Sequence, residues 1–151
     1  MMDTLQSLVS EAHKTGDYQP VIDLIPYARV IGVKCERFGE EMIFRLPRNP
    51  ENIGNPTIPA IHGGVIASFM ELTAAFELTL QLEQPALAKI IDFSVDYMRA
   101  GLDRDTFAMC KIERQGRRVG NCSITAWQDR KSHPIASARG HFLLDTLSSF
   151  R

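Results

Sequence analysis

Several features are missing from this chain of 151 residues, and each absence removes a class of protein. No Lys/Arg block occurs: 17 basic residues against 18 acidic ones leave a formal charge of −1. Such a balance lacks the electrostatic footprint of a nucleic-acid or anionic-membrane binder, so neither partner is expected. Residues 1–10 show no basic start followed by an apolar core, and hence no secretory signal. The most apolar stretch, residues 65–82, carries Glu71 and Glu77 and is broken by Ser and Thr, which argues against a membrane span. Cysteine is scarce: Cys35, Cys110 and Cys122 are odd in number, far apart and without a CxxC pair for zinc or redox chemistry. They read as reduced, mostly buried thiols of a cytoplasmic protein. A Gly-x-Ser-x-Gly elbow, a P-loop and a Gly-x-Gly-x-x-Gly turn are all absent, which leaves an elbow-type serine hydrolase, an NTPase and a Rossmann enzyme without support. His133 and His141 have no Asp, Glu or Cys at metal-ligand spacing, so no metal site is expected.

What is present suits one domain over residues 1–151. Hydrophobic residues make up 44%, enough for a single core, and charged residues 23%, a balance that does not fit wholesale disorder. Residues 4–14 place Leu5, Leu8, Val9 and Ala12 at the spacing of an amphipathic helix ending near Gly16. Residues 30–37 and 41–47 alternate, and Phe38-Gly39-Glu40 joins them as a hairpin. Four of the eight prolines fall in residues 47–59, which read as one long loop. Residues 62–81 are apolar nearly all round at helical spacing, the mark of a buried helix. From Ala86 the period switches to two, with Ile91, Phe93, Val95 and Tyr97 alternating with polar residues. Further strands are expected at 106–113, 119–129 and 134–145, separated by turn signals. The sum is an α+β fold: one apolar helix covered by an antiparallel meander of about six strands.

The most informative stretch runs from Pro59 through His62-Gly63-Gly64-Val65 to Glu71. Two glycines opening a helix let a ligand oxygen approach the free N–H groups there, a position that favours negative charge. The same pair equally serves a turn into the helix or close packing on a strand. Glu71 is a carboxylate amid Ala67, Met70, Leu72 and Ala75; it is either desolvated, with its pKa raised toward the range of a general base, or on a narrow exposed stripe with Ser68. His62 and Glu71 are nine residues apart, which puts them about 180° apart round the axis and about 13 Å apart along it. If both serve one site, Glu71 comes from a second helix, as a two-fold dimer supplies. Arg99, Arg117, Arg118, Arg130, Lys131 and Arg139 are most simply solvated strand ends and turns, a minority of them suited to phosphates.

Three features together resemble the hotdog-fold thioesterases of the phenylacetate-degradation (PaaI-like) and 4-hydroxybenzoyl-CoA thioesterase type. They are His62-Gly63-Gly64-Val65, the acid nine positions after the His, and the segment Val95-Asp96-Tyr97-Met98-Arg99. The resemblance covers roughly residues 30–144 and leaves residues 1–25 as an N-terminal helical extension. It implies a curved antiparallel sheet round one central helix, assembled as a homodimer or a dimer of dimers. The implied activity is hydrolysis of an acyl-CoA thioester to free acid and CoA, without metal or cofactor. In that scheme the Gly63 N–H orients the carbonyl and Glu71 acts across the dimer as nucleophile or general base, both fitting the chemistry of those groups. His62 joins them as a catalytic residue, and Asn55, Gly64, Ser68 and Arg99 are placed on the substrate. Two positions depart from the family pattern: Pro56 stands where an Asn or Gln is common, with Asn55 one residue earlier, and Ile90 stands where a Ser or Thr is common. The alternatives carried forward are a hotdog hydratase or dehydratase and a non-catalytic acyl-CoA binding module.

Overall fold

Residues 2–83 and 85–144 are described by the computed structural model, so the expected end of the last strand at Asp145 lies outside the described residues. The first helix, α1 (Met2–Thr15), buries Leu5, Val9 and Ala12, the stripe its spacing called for. Two short helices follow, α2 (Gln19–Ile22) and α3 (Pro26–Ile31), each carrying proline in its first turn. There the missing N–H has no intrahelical partner to lose. The expected strand over residues 30–37 is therefore corrected: helix α3 runs through Ile31, and β1 covers only Lys34–Phe38. It pairs with β2 (Glu41–Leu46) through a tight turn in which Gly39 takes a left-handed φ of 63°.

The expected loop over 47–59 is more ordered than its prolines suggest. It contains a 3-10 turn, Pro50–Asn52, and β3 (Ile53–Asn55), which pairs with β4 (Ala60–Ile61) just beyond it. Then comes α4 (Gly63–Gln81), followed by β5 (Lys89–Tyr97), β6 (Thr106–Gln115), β7 (Val119–Trp127) and β8 (Ala136–Leu143).

Six strands form one antiparallel sheet in the order β1-β2-β6-β7-β8-β5. Helix α4 packs against β2, β5, β6, β7 and β8, which gives its apolar residues their cover. Length and composition alone would let α4 cross a membrane. In the fold, Ile66, Phe69, Met70, Phe76, Leu78 and Leu80 are buried. Phe76 stacks on Phe44 of β2 with ring centroids 6.3 Å apart and planes 11° from parallel. A relay fixes the far end of α4: Arg37 donates to the Tyr18 hydroxyl, His13 Nδ1 lies 3.2 Å from that hydroxyl, and His13 Nε2 lies 3.0 Å from the Leu80 carbonyl oxygen.

Strand β5 is an edge. A bulge between Ile90 and Asp92, in its pairing with β8, inserts Ile91 without a partner. Ile90, Ile91, Tyr97 and Met98 are left exposed, so the strict alternation expected of this strand holds only after the bulge, where Phe93 and Val95 turn inward. Phe76→Ala, which empties the space over Phe44, is expected to cost about 3–5 kcal/mol. Urea unfolding should show a lower midpoint at nearly unchanged slope.

Candidate active site

The start of α4 is held from three sides. The Ile61 N–H donates to the Gly101 carbonyl (2.8 Å) and the His62 N–H to that of Asn52 (2.9 Å). Asn52, itself buried, donates through its side-chain amide to the Ile31 carbonyl at 3.0 Å. Gly54 lies against His62 so closely that a Cβ there would sit 2.7 Å from the His62 Cα, closer than real side chains approach. The proline-rich segment is thus a buttress, and the absent side chain at Gly54 is what lets it close on the helix.

His62 is the N-cap of α4, and its Nδ1 accepts from the Gly64 N–H at 2.9 Å. A ring nitrogen that accepts carries no proton, so in this arrangement Nε2 bears the hydrogen of the neutral ring and stands as a donor. Gly64's amide is therefore consumed by the cap. The Gly63 N–H remains one of the orphan donors of the first turn. Neither glycine has a left-handed φ. A Cβ on Gly63 would meet the Tyr97 ring at 3.5 Å, an ordinary contact, so neither a special turn nor tight packing within the chain asks for glycine at this position. Tyr97, at the end of β5, donates its hydroxyl to the Gly63 carbonyl at 2.7 Å and ties this turn to the sheet.

Glu71 lies in the middle of α4, half-buried, beside an apolar cavity of about 260 Å³ between Leu72, Ala75, Phe76, Leu87 and Phe142, with Ile25 across it. Burial pushes its carboxyl above the ordinary value of 4.5, and it has no hydrogen-bond or ion-pair partner among the described residues. Ser68, half-buried and one turn earlier, shares its helix face. Glu77 is also raised by burial, but Gln81 donates to it at 3.3 Å.

The remaining expected residues lie elsewhere. The Asn55 side-chain oxygen accepts from the Thr57 N–H at 3.0 Å, closing an exposed turn. Arg99 is exposed beyond β5, and its N–H reaches the Ile135 carbonyl at 3.2 Å. The fold thus gathers His62, Gly63, Gly64 and Tyr97 at one end of α4 and sets Ser68 and Glu71 further along it. Tyr97, Asn52 and Gly54 went unremarked as site residues in the sequence. Tyr97 belongs to the quoted β5 segment, but its contact with Gly63 depends on pairings no local pattern shows. Cys35 offers no ready nucleophile: burial, with Glu77 and Glu36 nearby, pushes its thiol up to about 12. No group of three or more His, Cys, Asp or Glu side chains is arranged to hold a metal among the described residues.

The model of the thioesterase superfamily matches residues 59–133, the stretch that holds α4 and strands β5, β6 and β7. The chain belongs to the thioesterase superfamily. Thioester hydrolysis is the activity that goes with that membership. The curated relatives include a medium/long-chain acyl-CoA thioesterase, YigI, of Escherichia coli K12, 26% identical over 137 residues and covering 80% of this chain and 86% of that one. Among solved structures, a Chromobacterium violaceum protein is 37% identical with a TM-score of 0.76 over 97% of this chain and 99% of that one. A Bacillus halodurans protein crystallised with CoA shares the fold at a TM-score of 0.73 and 18% identity, covering 95% of this chain and 93% of that one. The architecture is the hotdog fold of this superfamily.

Because the His62 ring caps α4, His62→Ala is expected to lower stability by about 1 kcal/mol, while His62→Asn, which keeps a capping oxygen, recovers most of it. Thermal melts of the two variants beside wild type check this.

Proposed function

We propose that this thioesterase hydrolyses acyl-CoA to free acid and CoA at a site shared by two protomers. The observation that carries the reading is the half-buried, unpartnered Glu71 carboxylate beside an apolar cavity on the helix that opens with the free Gly63 amide. The thioester carbonyl oxygen takes the Gly63 N–H of one protomer, with the His62 Nε2–H as a second donor to the developing oxyanion. Gly63 and Glu71 of one helix are about 12 Å apart along its axis, so the carboxylate comes from an antiparallel copy. Edge strand β5, with Ile90, Ile91 and Tyr97 exposed, is the face offered to that copy. The dimer alone completes the site.

Two routes share this geometry. As general base, Glu71 takes a proton from water while the water oxygen bonds to the thioester carbon; collapse then breaks the C–S bond and the proton passes to the thiolate of CoA. As nucleophile, Glu71 forms the bond to carbon itself, CoA leaves as thiolate, and water hydrolyses the resulting anhydride. Single turnover in heavy-oxygen water tests for the second route: label in Glu71 shows that water opened an anhydride at the glutamyl carbonyl, whereas opening at the substrate carbon puts the label in the product acid, as the first route does. Neither route uses a metal or a cofactor beyond the CoA of the substrate. The acyl group occupies the cavity beside Glu71, which agrees with the medium/long-chain substrates in the name of the E. coli relative. Of the expected substrate-side residues Asn55, Gly64, Ser68 and Arg99, Ser68 is the best placed, on the Glu71 face. Three free thiols suit a reducing compartment, the cytoplasm.

Glu71→Gln is expected to remove at least ~100-fold of the thiol-release rate, a typical contribution of a positioned base. Undiminished release would end the assignment. Burial raises the folded-state pKa of Glu71, so ionising it costs the fold stability. That cost is absent below the ordinary carboxylate value and fully present above the raised one. The variant should therefore be as stable as wild type or more so at neutral pH, with any gain vanishing in acid. For the same reason the acid limb of the wild-type kcat profile should lie above the ordinary carboxylate range, because the working form is the ionised one.

A further inference from the structure

The hairpin joining β6 to β7 carries a basic cluster that the hydrolytic machinery does not use. Arg114, Arg117 and Arg118 line an open cavity of about 570 Å³ with Val119, Asn121 and His141. None of the three arginine side chains has a hydrogen-bond or ion-pair partner among the described residues. Two carboxylates of the neighbouring strands are already engaged: Asp92 sits 2.8 Å from His141 Nδ1, and Glu113 accepts from Ser123 at 2.7 Å and pairs with Lys111. In a chain of formal charge −1, three guanidinium groups round one hollow, with no carboxylate partner among the described residues, are a local concentration of positive charge. Their forked donors match phosphate oxygens.

The position of this hollow matters as much as its charge. Lys89, which lines the Glu71 cavity, pairs with Leu143, and Leu143 pairs in turn with Val119, which lines the hollow. Two strand spacings separate them, about 10 Å. A ligand with its thioester at Glu71 and its phosphates at the arginines passes round the Lys89 end of the sheet. That layout fits a molecule whose reactive sulfur and phosphates are joined by a flexible arm.

We propose that Arg114, Arg117 and Arg118 form the site for the nucleotide phosphates of the CoA moiety, with His141 held at its rim by Asp92. The proposal rests on the acyl-CoA reading above and adds the place where the nucleotide end is held. Its test compares a medium-chain acyl-CoA with the matching S-acyl pantetheine, which has the same thioester but no nucleotide phosphates. In the full-length chain, R117E/R118E is expected to lower the ratio of kcat/KM for acyl-CoA to that for acyl-pantetheine by at least about tenfold, the loss of one or two charge-assisted contacts. R117Q/R118Q, which removes charge without reversing it, should lower the ratio less but in the same direction. Titration calorimetry with 3′-phosphoadenosine 5′-diphosphate alone should show binding to wild type that weakens with salt and is lost in R117E/R118E. If wild type cleaves both esters and the ratio is unchanged in both variants, the proposal is overturned while the hydrolytic reading stands. If wild type cleaves neither ester, that reading fails, and the calorimetry decides the phosphate site by itself: binding lost in the variant upholds it, and no binding to wild type overturns it.

Discussion

Everything in this structure follows from the need to cover α4. A helix with apolar residues on nearly every side is stable in water only when other elements wrap it, and the sheet supplies strands on one flank while α3 closes another and α1 reaches its far end through His13. Yet the wrapping is incomplete at two places. The first turn opens to solvent at His62 and Gly64, and a stripe through Ser68 and Glu71 is only half-covered. Both places hold polar groups that a closed core would exclude: an amide with no helical acceptor and a carboxylate lifted from its usual acidity by its surroundings. The proposed chemistry sits where the cover stops.

A second constraint sets how well the first turn is placed. Its position depends on backbone bonds from Ile61 and His62 to Gly101 and Asn52, on the Asn52 amide reaching Ile31, and on the Tyr97 hydroxyl reaching Gly63. These partners come from a helix end, a 3-10 turn, a strand end and the turn before β6. Such cross-bracing holds an orphan N–H in a fixed direction without spending it on an internal acceptor, which is the requirement for a preorganised oxyanion donor. The His62 ring contributes by taking the neighbouring amide of Gly64, so that one glycine is satisfied and the other is left free.

The large elements were legible because period and composition carry them. The α4 span, strand β2 and the three long strands after Gly101 appear in the sequence at nearly their observed bounds, whereas β1 begins four residues later than its alternation suggested. The short elements were not. Helices α2 and α3 are too brief for periodicity, and only Pro20 and Pro26 at their starts mark them. The ribbon of β3 and β4 hides within a segment whose prolines and asparagines read as loop, since its bonds run to distant Gly101 and Ile31. Of the site, His62, Gly63 and Glu71 were visible as residue types in a telling order. The consumption of the Gly64 amide by its neighbour's ring, and the contact of Tyr97 with Gly63, are facts of three dimensions. Arg117 and Arg118 read as solvated turn residues, because their convergence with Arg114 and His141 depends on how β6, β7 and β8 align.

The bulge in β5 has a consequence for the life of the newly made chain. By slipping one residue it puts Ile90 and Ile91 side by side on an outer strand whose backbone donors and acceptors face away from the sheet. A chain with this margin bare therefore displays the combination that invites indiscriminate strand addition. Until that margin is covered, any chain that offers a complementary strand competes for it.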